Sequence, residues 1–94
     1  MMTWLGDVEK HYENVDKAFE VLSLVEIDDI PLRNGIRRII LQEMKLACKS
    51  IIDCVGAENS SCCERASLFI ENFELGYDIC TIIEARCFIY KLLN

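Results

Sequence analysis

The apolar side chains recur every three or four residues along almost the whole chain, and this spacing constrains the fold most strongly. Such a period places them on one face of an α-helix, and no segment shows the alternation of a half-buried strand. Only four Gly and one Pro interrupt the 94 residues, so the helices must be long and the turns few. The pattern predicts four helices, at about 3–25, 31–55, 61–75 and 79–93.

The second predicted helix has the broadest apolar face, which is typical of a helix packed against two or more neighbours. That face comprises Ile36, Ile39, Ile40, Met44, Ala47, Ile51 and Cys54. Gly56 and Gly76 are suitable ends for the second and third helices. Short links favour antiparallel neighbours, and 94 residues leave no room for a second core. We therefore predict an all-α fold, a small antiparallel four-helix bundle, with residues 1–94 as a single domain.

A basic strip lies on the second helix, although the chain as a whole has a net charge of −6. Residues 32–56 contain five bases and two acids, and Arg38, Lys45 and Lys49 are the members of the strip. Three possible phosphate contacts in an acidic domain are poorly suited to nucleic acid. We expect the strip to lie beside the acidic first helix, and the sequence leaves open whether it binds a ligand.

Six cysteines occur, at positions 48, 54, 62, 63, 80 and 87. Most fall on apolar helix faces, where a thiol behaves as a small hydrophobic group, and the spacings match no zinc motif. The acidic amino-terminal stretch lacks the apolar core of a signal peptide, and no segment is long and uncharged enough to span a membrane. We predict reduced thiols, no metal or cofactor, no membrane partner, and a cytoplasmic location in a bacterial, archaeal or infected host cell.

Catalytic groups are sparse. His11 is the single histidine, and we interpret it as a surface or boundary side chain. The acids of the first helix, including Asp16, are interpreted as a solvated face rather than a metal site. The sequence therefore predicts no catalytic residue and leans against an enzyme.

Arg86 is the most unusual residue, because it shares an apolar stripe of the fourth helix with Ile79, Ile83 and Tyr90. An arginine there must be paired, extend to solvent, or lie at an interface, since burying its charge alone is costly. Glu43, on the apolar side of the second helix, is a possible partner. Because the fourth helix is apolar nearly all round, with only Thr81, Glu84, Phe88 and Lys91 left for solvent, we favour an interface. The candidate interface residues are Arg86, Ile83, Cys87 and Tyr90.

Two segments, "LRNGIRRIILQEMKLACKSIIDCVG" at 32–56 and "IIEARCFIY" within 79–90, resemble HEPN-superfamily proteins of the toxin–antitoxin kind. The resemblance implies a helical bundle that dimerises and cleaves RNA through an Arg-x(4–6)-His motif. Arg86 matches the arginine, and Cys87 stands where the family commonly has a polar residue. The histidine would fall at 91–93, where this chain has Lys-Leu-Leu. The resemblance therefore implies a bundle that binds rather than cuts.

These observations predict a small helical protein that acts by binding another protein, of the inhibitor or adaptor type and suited to a virus or mobile element. We expect it to be a homodimer. One alternative is an HEPN-like ribonuclease toxin or its degenerate relative. Another is a small-ligand binder, with the ligand held between helices or at a dimer interface.

Overall fold

The computed structural model describes residues 3–55, 60–75 and 79–93. These ranges form four α-helices and contain no strand. The helices are α1 (Thr3–Leu24), α2 (Ile30–Val55), α3 (Ser60–Leu75) and α4 (Ile79–Leu93). The predicted all-α bundle is confirmed, and the predicted bounds differ from the observed ones by at most one residue. Gly56 and Gly76, the predicted helix ends, lie outside the described residues.

The turn between α1 and α2 is fixed by two side chains of the sequence around it. Asp29 caps α2, since its Oδ1 accepts a hydrogen bond from the backbone N–H of Leu32 at 3.3 Å, which satisfies a donor that the first helical turn leaves open. At the other end of the turn, the Arg33 guanidinium donates to the carbonyl oxygens of Leu22 (3.3 Å) and Val25 (3.2 Å). A side chain of α2 therefore completes the carboxyl end of α1.

α1 and α2 are antiparallel, since His11 lies beside Glu43 and Arg33 reaches Val25, and α2 lies at the centre of the bundle. The most extensive contacts join α1 to α2 and α2 to α3, whereas α4 packs more sparsely on the other three. Tyr12 lies beside Tyr90 and Phe19 lies under Arg86, so α1 and α4 are antiparallel. The buried core draws on all four helices: Val8, Val15, Ala18, Leu22, Ile36, Ile40, Met44, Ala47, Cys48, Ile51, Ala66, Phe69, Phe73, Ile82, Ala85 and Ile89.

The predicted burial is wrong at three positions, and one of them, Thr81, is half-buried although we expected it to face solvent. Ile39, predicted in the core, is 54% exposed, because the apolar face of α2 is wider than its neighbours cover. Phe88, predicted to face solvent, is half-buried. Its ring lies 5.6 Å from that of Phe69, and the Arg65 guanidinium lies 5.2 Å above it. These aromatic contacts come from α3, whose position beside α4 the helical period does not specify.

Candidate interaction surface

A groove of about 290 Å³ opens between α1 and α4. It is lined by Tyr12, Ile83, Arg86, Cys87, Tyr90 and Lys91. All four residues of the predicted interface therefore line one groove. Tyr12 is a further member of this site that the sequence did not predict. Its place on the apolar stripe of α1 was visible, but the stripe alone does not show which helix it meets.

Arg86 is held at the wall of this groove by two residues of α1. Its guanidinium donates to Oδ1 of Asp16 in an ion pair, and it lies 4.6 Å above the Phe19 ring, a cation–π geometry. The side chains remain 32% (Arg86) and 42% (Asp16) exposed. Among the described residues, Nε of Arg86 has no acceptor. The predicted partner, Glu43, is thus wrong, and Asp16 is a pairing group rather than part of a solvated face.

The aromatic side of the groove is formed by Tyr12 and Tyr90, whose ring centroids lie 6.5 Å apart at 42°. Partial burial raises the pKa of Tyr12 above its usual value, and the nearby Asp16 carboxylate adds to this effect. The Tyr12 hydroxyl is therefore neutral at physiological pH. It offers a hydrogen-bond donor on a mostly aromatic wall.

Beside the groove, α4 presents a continuous apolar surface to solvent. We call it the α4 face, and it consists of Ile79, Cys80, Ile83, Cys87 and Tyr90, all exposed. Ile83 is 50% and Tyr90 55% exposed. The opposite side of the same helix is fully buried through Ile82, Ala85 and Ile89. The helix is therefore apolar on both sides, and only one side is covered within the monomer.

The single histidine is half-buried between α1 and α2, at the boundary position that we predicted. Its Nδ1 lies 2.5 Å from Oε2 of Glu43. A carboxylate only accepts hydrogen bonds, so Nδ1 carries the proton in this pair. His11 does not line the groove that contains Arg86. The hydrogen bond joins α1 to α2, and it occupies both side chains.

The predicted basic strip lies along α2. Arg38 and Lys49 are exposed and Lys45 is half-buried. Their separations of seven and four residues place them on one face of the helix. The strip therefore exists as a surface of α2, and the expectation that it does not bind nucleic acid stays a prediction.

The cysteines divide into two environments. Cys48 is fully buried in the core, and burial raises the pKa of its thiol to about 12. Cys62 and Cys63 are half-buried, whereas Cys80 and Cys87 are exposed as members of the apolar α4 face. No disulfide joins these five residues, and the side chain of Cys54 lies outside the described part of the chain.

Within the described ranges, no three His, Cys, Asp or Glu side chains are grouped so that they could hold a metal ion. No described helix is both long enough and apolar enough to cross a membrane. No family model, curated protein or solved structure matches the chain. The resemblance to the HEPN superfamily accordingly stays a prediction.

Proposed function

We propose that this chain is a non-enzymatic helical protein that acts in the cytoplasm by binding another protein, as an inhibitor or adaptor, and that it forms a homodimer. The observation that supports the proposal is the α4 face. A row of large apolar side chains on one exposed helix side, next to a groove with two tyrosines, is the composition of a protein-binding surface.

A second exposed apolar patch, in the groove between α1 and α2, is less suited to this role. Val21 and Ile39 are exposed there, but Asn14, Lys17 and Glu43 line the same groove. The α4 face has no charged member, so covering it removes apolar area from water without stranding a charge. We therefore assign the primary interface to α4, with Arg86 at its edge.

His11, Arg86 and Cys48 are engaged or enclosed within the bundle, which supports a role other than catalysis for these three residues. His11 is bonded to Glu43 and Arg86 to Asp16. The Cys48 thiol, with its pKa of about 12, stays protonated and is not a nucleophile at neutral pH. Binding therefore explains these residues more simply than a reaction does.

The HEPN-like ribonuclease is the alternative from another class. The positions where the family would have its histidine are occupied by Lys91, Leu92 and Leu93, and the only histidine faces α2. Cleavage of single-stranded RNA by the purified chain, abolished in Arg86→Ala, would establish this alternative and overturn our proposal.

A small-ligand site in the groove is the other alternative. Ligand pockets usually enclose most of the ligand, whereas this groove of about 290 Å³ opens to solvent. Its one guanidinium is already neutralised by Asp16. Both features favour a protein surface over a small-molecule pocket.

The proposal is tested by sedimentation equilibrium over roughly 1–500 µM protein, which spans the affinities of weak to moderate dimers. We expect the mass to rise from monomer to dimer. Ile83→Glu places a charge in the α4 face and should keep the protein monomeric. Ile39→Glu is the matched control, since Ile39 is similarly exposed at 54% against 50% for Ile83, and it should still dimerise. A wild-type monomer throughout, or equal loss in both variants, would contradict the proposed homodimer.

A further inference from the structure

We propose that the second copy binds through α4 alone, with the two α4 helices antiparallel across a two-fold axis close to Cys87. This inference rests on the proposed homodimer and adds its geometry. The α4 face is covered by the α4 face of a second copy of this chain. Three properties of α4 support this arrangement.

The first property is the position of Cys87 on the helix. At 100° per residue, Cys87 lies opposite the centre of the buried side formed by Ile82, Ala85 and Ile89. It is therefore the part of α4 that projects furthest from the core. Ile83 lies one turn before Cys87 and Tyr90 one turn after it, and both are exposed. An axis near Cys87 places these apolar side chains against those of the partner.

The second property is the placement of charge. Glu84 and Lys91 are exposed and border the same edge of the α4 face, with Cys87 near their midpoint. The positions three and four residues from each hold no opposite charge, so neither has the usual ion-pair neighbour on its own helix. An antiparallel copy brings Glu84 beside the partner's Lys91, and the symmetry repeats the pair. A parallel copy would instead place like charges together, so the pattern favours the antiparallel arrangement.

The third property is the small size of Cys87, which permits close approach at the axis. Packed helices lie about 8–10 Å apart and their Cα atoms lie about 2.3 Å from each axis, so facing Cα atoms come within about 3.4–5.4 Å. This range overlaps the separation of about 4.4–6.8 Å that a disulfide needs. The two Cys87 thiols therefore lie within cross-linking distance in the proposed dimer.

The length of α4 sets the expected affinity. Its 15 residues span about 22 Å, and one face of such a helix is smaller than the roughly 800 Å² per partner of a standard stable interface. We therefore expect a weak, concentration-dependent dimer, with a Kd on the order of micromolar.

The first experiment is oxidation with diamide at protein concentrations where the dimer is populated, followed by a non-reducing gel. Wild type should give a covalent dimer and Cys87→Ser should not, while sedimentation shows that Cys87→Ser still associates. Cys80→Ser is the matched control, because Cys80 is also exposed on α4 but lies away from the axis. It should cross-link as wild type does. A covalent dimer that persists in Cys87→Ser overturns the arrangement.

The second experiment is a charge exchange read by sedimentation equilibrium. Glu84→Lys and Lys91→Glu each turn two attractive pairs into two repulsive ones, and we expect each to weaken the Kd by about fivefold or more. The double exchange restores both pairs and should return the Kd to within about twofold of wild type. Equal helical content by circular dichroism confirms that the variants fold.

The outcomes separate the inference from the proposal on which it rests. If the single charge exchanges leave the dimer Kd unchanged, or if the double exchange fails to restore it, the α4–α4 arrangement is overturned. The proposed homodimer is not affected by that result. If the wild-type protein is monomeric up to about 500 µM, both the α4–α4 arrangement and the homodimer are overturned. The α4 face would then bind a different protein. Cross-linking through Cys87 together with restoration by the double exchange supports the inference.

Discussion

Arg86 keeps its charge in an apolar stripe because two residues of α1 compensate for it in different ways. The Asp16 carboxylate supplies an opposite charge, and the Phe19 ring supplies the negative face of its π-system. Both members of the ion pair retain contact with water, so solvent screens their attraction. An exposed pair contributes about 0.2–1 kcal/mol, well below the figure for a buried pair.

We expect Arg86→Ala to lower the free energy of unfolding of the monomer by about 1–2 kcal/mol, the sum of a screened ion pair and a cation–π contact. The measurement is urea unfolding at a concentration below dimerisation. Arg65→Ala is the control, because Arg65 lies over Phe88, and it should cost only about 0.5 kcal/mol. An unchanged stability in Arg86→Ala would show that the Asp16 contact contributes nothing to folding.

The sequence identified the unusual polar residues but predicted the wrong partner for Arg86. His11, Glu43 and Arg86 were each recognisable as polar side chains on or near an apolar stripe, and such groups tend to find partners. The structure pairs His11 with Glu43 and Arg86 with Asp16. Asp16 adjoins the α1 stripe between Tyr12 and Phe19, which was a usable signal. The rotation of each helix against its neighbour decides between these pairings, and a helical period does not contain that information.

At the scale of the element, α4 has two apolar sides, of which one is buried and the other is exposed. The buried side anchors it to the bundle, and the α4 face remains accessible. Adjacent residues of identical chemistry, Ile82 and Ile83, lie fully buried and half exposed respectively. They allow the two sides to be tested separately.

We expect Ile82→Ala to destabilise the monomer by about 2–5 kcal/mol, because it leaves a cavity in the core. Ile83→Ala should cost about 0.5 kcal/mol or less, since its side chain is already half in water. Thermal or urea unfolding of the two variants side by side gives the comparison. Similar losses for both would mean that the helix is rotated from the position described.

The helices themselves were predictable to within one residue, for identifiable reasons. Asp29 before the second apolar run signals a helix start, and in the structure it caps α2. The burial of individual residues on α2 was less predictable, as the exposed Ile39 shows. A broad apolar stripe indicates several neighbouring helices, but it does not indicate which residues each neighbour covers. The apolarity of α4 suggested an interface there, which stays a prediction, whereas the groove between α4 and Tyr12 required the three-dimensional arrangement.

For the whole molecule, the net charge of −6 limits the choice of partner. The basic strip is real, but it consists of three residues on one helix of an acidic domain. Long-range repulsion of a polyanion opposes the few local contacts that the strip offers. The net charge therefore disfavours a nucleic acid as the partner.

We expect no binding of duplex DNA or single-stranded RNA tighter than about 1 µM at physiological salt, since three phosphate contacts give a log–log salt slope no steeper than about −2.7. Fluorescence anisotropy between 50 and 200 mM salt measures both quantities. The comparison variant changes Arg38, Lys45 and Lys49 to Glu and should behave as wild type. Submicromolar binding that this variant loses would make the strip a nucleic-acid site.

The Arg86–Asp16 contact also has a consequence for the order of folding. It joins residues 70 apart in the chain, whereas Arg33 reaches Val25 across only eight. Loop-closure entropy grows by about 0.6 kcal/mol per doubling, so docking α4 on α1 costs about 2 kcal/mol more than closing that turn. We therefore expect α4 to dock last and to open first, with faster amide hydrogen exchange in α4 than in α1 or α2. We propose that α4 contacts the partner, and α4 is also the helix that detaches most easily from the bundle. Dimerisation would slow this detachment.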